Sequence, residues 1–229
     1  FQDVALHPLR DETAMIAVQG PRSEEIMERV TGSDLHGMRR FSHTRLSISG
    51  HGVLVARTGY TGEDGFEVIS ETEHAVEIWE ALSREGCIPC GLGSRDTLRL
   101  EAGLLLYGSD MDESINPLEV GLKTFINHGK DFIGSEAIRA QQTVGVQRQL
   151  YGLRVDKKNG IPRAHQDVYL GENLIGQTTS GTFSPSLGVG IALALLSLDL
   201  DVGATVDVDI RGKRVPSTIS SLPFYIKGA

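Results

Sequence analysis

The chain has 229 residues and a formal net charge of −8, from 22 lysines and arginines against 30 aspartates and glutamates. Apolar residues make up 40% and charged residues 23%, a globular balance with enough chain for one large domain or two ordinary ones. The acidic balance argues against nucleic acid as a partner, which needs concentrated Lys and Arg, and the longest apolar run, around Ile191–Leu198, is far too short for a membrane span. No signal peptide is visible, and a start at Phe1 instead of Met is expected of a processed or truncated product.

The apolar run Thr13-Ala-Met-Ile-Ala-Val-Gln19, bounded by charges and by Gly20-Pro21, predicts a buried strand. Pro21 then marks a helix start, and Ile26, Met27 and Val30 a short helix that stops at Thr31-Gly32. Arg45-Leu-Ser-Ile-Ser alternates as a half-buried strand does, and Val53-Leu-Val-Ala is continuous enough for a more central one. Gly59-Tyr-Thr-Gly-Glu-Asp-Gly65 is a glycine loop with an Asp-Gly turn signal. Phe66-Glu-Val-Ile-Ser70 resumes the strand pattern, with Phe66 and Val68 on one face and Glu67 and Ile69 on the other. Ser70 and Glu73 have capping-box spacing, and the helix that follows puts Ala75, Ile78, Trp79 and Leu82 on one face, with Trp79 expected in the core.

The stretch from Gly91 to Gly108 opens with two glycines and places Arg95 and Arg99 one helical turn apart. Ser94 and Asp96 both suit an N-cap, and on pattern alone the stretch is a solvated helix entrance with local ion pairs. Beyond it, Thr124-Phe-Ile-Asn is expected as a short strand and Gly134-Ser-Glu-Ala-Ile-Arg-Ala-Gln as a helix capped by Ser135. From Gln149 onward helical periodicity is lost. Short apolar segments recur at Leu150–Val155, Val168–Leu170, Ile191–Leu198, Thr205–Ile210 and Pro223–Ile226, separated by turns such as Lys157–Gly160 and Ser180–Pro185. The expectation is a partial α+β domain over residues 1–145, with an antiparallel sheet and helices, then a small all-β barrel or sandwich over 149–229. The linker is placed near Gln142–Arg148.

Several signals fail on inspection. Cys87 and Cys90 have C-x-x-C spacing, but no second pair or His cluster completes a zinc site, so two reduced thiols are expected and no metal. Gly91-Leu-Gly93 lacks the third glycine of a dinucleotide loop, and Gly171–Thr178 has Gln177 where a phosphate loop needs lysine. Asp110-Met-Asp112 begins like a calcium loop, but Ile115 stands where the sharp turn requires glycine. The remaining candidates are Glu67, Arg95, Tyr60 and Tyr107. A strand carboxylate just after a glycine loop can accept adjacent N–H donors from a polar heterocycle. Arg95 can pair with an acidic group, and Tyr60 and Tyr107 can offer flat surfaces to a ring. For each, ordinary rim or core packing is the alternative.

At these residues the chain resembles the T-protein of the glycine cleavage system. The resemblance rests on Met15–Pro21, Arg57-Thr-Gly-Tyr-Thr-Gly-Glu-Asp-Gly-Phe-Glu67, Cys90–Gly103 with Tyr107-Gly108, Asp131–Ala137, Thr179-Ser-Gly-Thr-Phe-Ser-Pro185 and Ile191–Ala194, in order and with similar spacing. It implies an aminomethyltransferase that takes a one-carbon unit from the aminomethyl-lipoyl arm of H-protein, releases ammonia and gives methylenetetrahydrofolate. Tetrahydrofolate is then the acceptor substrate, held in a central cavity of a three-domain cloverleaf. Glu67 matches the pterin-binding glutamate, Arg95 an arginine lining the cavity, and Tyr60 and Tyr107 tyrosines near the site. The family is longer at its N-terminus, and the aspartate proposed to handle protons at the folate lies in that part, so no catalytic residue is assigned here. The implied location is cytoplasmic, or the mitochondrial matrix in a eukaryote. Other readings within the same architecture are a non-catalytic folate-binding or assembly module and another folate-dependent demethylase. An iron–sulfur assembly factor is disfavoured because Lys130-Asp-Phe-Ile-Gly134 carries no cysteine.

Overall fold

The computed structural model describes residues 3–155, 160–197 and 199–226. Two compact units, Phe1–Arg95 and Asp96–Ala229, divide within a helix. The first unit contains β1 (Thr13–Gln19), α1 (Ser23–Thr31), β2 (His43–Ile48), β3 (His51–Ala56), β4 (Gly65–Glu71) and α2 (Ala75–Arg84). Its antiparallel sheet has the order β1-β4-β3-β2. Ser49 and Gly50 close the β2–β3 hairpin with φ of 54° and 85°, the paired positive values that match strand twist in a two-residue turn. Strand alternation puts Val53, Val55, Phe66 and Val68 into one core with Ile26 and Met27 of α1 and Ile78 and Leu82 of α2. α1 ends where expected, at a left-handed Gly32 whose N–H donates to Glu28 at 2.8 Å.

Several local expectations are corrected. β1 is not a buried strand: it lies at the sheet edge, and Met15 is 57% exposed. Pro21 precedes α1 by a turn, because the helix begins only at Ser23. No capping box forms at Ser70. That residue ends inside β4 and its hydroxyl donates to the Glu71 carbonyl, while a 3-10 turn over Thr72–His74 leads into α2. Trp79 is 46% exposed, because α2 buries only the narrower stripe through Ile78 and Leu82.

α3 (Leu92–Glu101) carries the boundary between the units. Ser94 and Asp96 lie inside it and cap nothing at its start. Ser94 Oγ donates back to the Gly91 carbonyl at 2.7 Å, and Asp96 accepts from Arg99. In the second unit, Thr124–Asn127 is not a strand; a 3-10 turn over Leu122–Phe125 stands there with Phe125 exposed. α4 (Ser135–Val144) starts after a left-handed Gly134, and Ser135 is its first residue instead of its cap.

The remainder is a closed six-stranded barrel of β5 (Gln149–Val155), β6 (Asp167–Leu170), β7 (Asn173–Ser184), β8 (Val189–Leu196), β9 (Thr205–Ile210) and β10 (Lys213–Ser220). The order is β10-β5-β8-β7-β6-β9, antiparallel throughout. Closure leaves no open sheet edge. Leu153, Val155, Val168, Ala192, Ala194, Leu196, Val206 and Val208 fill its interior. Ile191 and Leu193, on the outer face of β8, are covered by Leu100 and Phe224, which explains an uninterrupted apolar run in a strand buried on both sides.

Ser180–Ser184 is strand, not turn. Gly181 is there because its backbone backs onto Pro162, where a Cβ would stand 2.7 Å from a carbonyl carbon. β10 escaped the sequence pattern because Pro216 interrupts it, while Val215, Ser217 and Ile219 still point inward. Pro223–Ile226 is not a strand, and Phe224 serves as a plug on β8. The expected Lys157–Asn159 turn lies outside the described residues.

Candidate functional site

Glu67 stands on the face of the sheet opposite the core. Its ladder neighbours are Ala17 of β1 and Ala56 of β3. Both are small, so neither cross-strand neighbour crowds the carboxylate. Thr58, just past the end of β3, donates its hydroxyl to Glu67 Oε2. Two residues on, Tyr60 meets Arg95, whose guanidinium carbon lies 5.0 Å from the ring centroid, a cation–π geometry. Three of the four predicted residues thus belong to the first unit, and two of them touch. Tyr107 belongs to the second unit, is 65% exposed and pairs its backbone with Met111.

The loop that carries Tyr60 is folded around groups the sequence pattern did not single out. Gln19, at the end of β1, donates Nε2 to the carbonyls of Thr58 at 3.1 Å and Phe66 at 3.2 Å, while its Oε1 accepts from the Thr61 hydroxyl at 3.1 Å. The amide is packed so closely that a Cβ on Gly59 would fall 1.9 Å from Gln19 Oε1, and one on Gly65 2.5 Å from its amide carbon. These glycines are therefore space for an amide clip, and the loop turns around it.

Arg57 and Asp64 bracket the loop. Arg57 donates Nε to Asp64 Oδ1 at 3.1 Å and Nη2 to Asp64 Oδ2 at 2.6 Å, contacts the Glu24 carboxylate, and donates Nη1 to the Leu35 and Met38 carbonyls at 3.0 Å. The Arg57 hydrogen bond holds the Asp64 carboxyl below its ordinary range, against the opposing effect of partial burial. Opposite charges at the two ends of a glycine loop were the available signal for this clamp; the Asp-Gly turn signal masked it.

Arg99 also departs from expectation. It is not part of a solvated helix face: its side chain is 2% exposed and meets Asp110, which is fully buried, at 2.6 Å. It also reaches Asp96, the Leu104 carbonyl and, at 2.9 Å, Ser180 Oγ. Burial works against the guanidinium charge, but the Asp96 hydrogen bond and the nearby Asp110 charge outweigh it and raise its pKa. Glu101, two residues farther along α3, accepts from the hydroxyls of Ser184 and Ser186 and from the Ser186 N–H. Arg99 and Glu101, both within the second unit, thereby hold the two ends of the segment 180–186.

Cys87 and Cys90 are free thiols, and burial pushes the Cys87 thiol up. Among the described residues, the ligand atoms of Glu71, Glu73 and His74 come within 4.8 Å of one another, but both glutamates are exposed and His74 is stacked on His51. Glu71 and Glu73, with Glu12 and Thr72, line a surface cleft whose acidity suits an anionic ligand poorly. No helix among the described residues is long and apolar enough to cross a membrane.

Comparison with known proteins adds the decisive observation. Residues 1–130 match the family model described as the GCVT N-terminal domain, and residues 148–225 match that of the glycine cleavage T-protein C-terminal barrel domain. The chain belongs to the glycine cleavage T-protein family. The aminomethyltransferase of Thermosipho melanesiensis is 42% identical over 224 residues, covering 97% of this chain and 61% of that protein. That of Synechococcus elongatus is also 42% identical, over 97% of this chain and 60% of its own length. A crystal structure of glycine cleavage system aminomethyltransferase T from Bartonella henselae superposes with a TM-score of 0.85 at 29% identity, over 93% of this chain and 60% of that one. This T-protein family chain therefore spans about three fifths of the length of the relatives it matches. Its matched barrel region takes in the six strands β5 to β10.

Proposed function

We propose that this chain supplies folate-holding residues of an aminomethyltransferase, which moves a one-carbon unit from the aminomethyl-lipoyl arm of H-protein to tetrahydrofolate and releases ammonia. The observation that carries the reading is the Glu67 carboxylate: between two alanines on the sheet face opposite the core, with one oxygen held by Thr58. A pterin edge presents an amino group beside a ring N–H, and a carboxylate is the side chain that accepts both together. Arg95 supplies positive charge for the carboxylates of a folate tail, and its seat over Tyr60 restricts where that charge points. Tetrahydrofolate is a substrate, and no resident metal or cofactor is invoked. The roles given to these residues are binding and orientation; the aspartate that the family resemblance implies for proton handling has no motif match in these 229 residues.

The test is tetrahydrofolate binding by calorimetry with Glu67→Gln. The variant keeps the shape of the side chain but offers a donor where the pterin needs an acceptor. It is expected to lose about 1–3 kcal/mol, or about 5- to 150-fold in Kd. Unchanged affinity removes Glu67 from the site.

A further inference from the structure

A carboxylate that reads a flat heterocycle must be fixed in rotation as well as placed on its strand. Glu67 has three rotatable bonds before its carboxylate and small neighbours on both sides, so packing alone does not set its angle. The Thr58 hydroxyl does reach it. Thr58 is itself held at its backbone: its N–H donates to the Ala56 carbonyl at 3.0 Å, and its carbonyl accepts from Gln19 Nε2 at 3.1 Å. The same Gln19 nitrogen donates to the carbonyl of Phe66, the residue before Glu67. One amide thus ties together the residue that orients the carboxylate and the strand that bears it, and the missing Cβ atoms of Gly59 and Gly65 make room for it.

We propose that Thr58 is a positioning residue, whose hydroxyl sets the rotation of the Glu67 carboxylate so that its remaining acceptor sites meet the paired N–H donors of a pterin. The inference rests on the proposed role of Glu67. The hydroxyl occupies one acceptor site of Oε2 and leaves the others of both oxygens for the ligand, a division that a freely rotating carboxylate does not maintain.

The experiment is tetrahydrofolate calorimetry on this chain with Thr58→Val, Thr58→Ser, Glu67→Gln and the double variant Thr58→Val/Glu67→Gln. Valine keeps the shape and β-branching of threonine and removes only the hydroxyl. Thr58→Ala is a second hydroxyl-free variant with the same expectation, and circular dichroism checks that each is folded. Thr58→Val is expected to weaken binding about tenfold, the scale of a hydrogen bond to a charged group. Thr58→Ser is expected to stay within about twofold of the unsubstituted chain. In the Glu67→Gln background the valine should cost nothing further, because its effect passes through the carboxylate. A purely structural role would give the same loss in both backgrounds, which would overturn the proposal, as would full affinity in Thr58→Val when Glu67→Gln is impaired. If Glu67→Gln binds as well as the unsubstituted chain, the Glu67 reading itself falls. A chain that binds no tetrahydrofolate ends both.

Discussion

Replacing Arg99 with methionine tests whether the motif residues of α3 act as buried structure. The substitution preserves most of the aliphatic volume and removes the guanidinium. The exposed partner, Asp96, can turn to water, but Asp110 is fully buried and cannot. Asp110 keeps the Leu106 N–H at 2.9 Å and the Thr179 hydroxyl, while the Leu104 carbonyl and Ser180 Oγ each lose a donor. Removing one partner of a buried pair leaves an uncompensated charge and costs about 3–5 kcal/mol. With a urea m-value near 2 kcal/mol/M, the unfolding midpoint should fall by about 1.5–2.5 M. Urea unfolding followed by far-ultraviolet circular dichroism gives that number. Repeating it with Asp110→Asn should shrink the cost of Arg99→Met by at least about 1 kcal/mol, because the stranded charge is gone. A loss under about 1 kcal/mol for Arg99→Met, or full additivity with Asp110→Asn, would refute the buried-pair argument.

The Asp64 carboxyl is held below its ordinary value of 3.8 by Arg57, so the stability it contributes is complete above that value and is lost as pH falls through the lowered native one. The deficit of Asp64→Asn relative to the unsubstituted chain should therefore be largest at neutral pH and narrow in acid below about pH 4; a constant deficit from pH 7 to pH 3 contradicts the pairing. Gly59→Ala should destabilise by about 1–3 kcal/mol by displacing the Gln19 amide from buried carbonyls, and Gln19→Ala should relieve the steric part of that cost; urea curves of the single and double variants decide it. Disulfide-exchange reagents at pH 8 should modify exposed Cys90 quickly and Cys87 slowly, since the Cys87 thiol is half-buried and its pKa is raised by burial. A fast phase that survives Cys90→Ser would contradict this.

The sequence made the architecture readable where side-chain periodicity is strict. The alternation in Phe66–Ser70 set which face Glu67 occupies, and the short apolar segments after Gln149 announced strands that close into a barrel. It failed where a residue type has two physical uses. Glycine in Gly59–Gly65 signalled a turn, yet two of those glycines are clearance for an amide that comes from a distant strand. Glycine in Ser180–Ser184 suggested a break, yet it permits close approach of the Pro162 backbone within a continuous strand. Arg95 and Arg99 looked alike at one-turn spacing, but one lies over a tyrosine ring and the other is buried against an aspartate eleven residues later. No local pattern encodes such partners, because the sheet and the barrel bring them together. Trp79 shows the converse error: a helical stripe of four positions was expected, and the sheet it packs on covers only a narrower one.

The most direct measurement is a structure of this chain with tetrahydrofolate bound. The account predicts the pterin amino group and adjacent ring N–H within about 3.2 Å of the Glu67 oxygens, with the Thr58 hydroxyl still on Oε2. A pterin seated elsewhere, with Glu67 touching only Thr58, would contradict it.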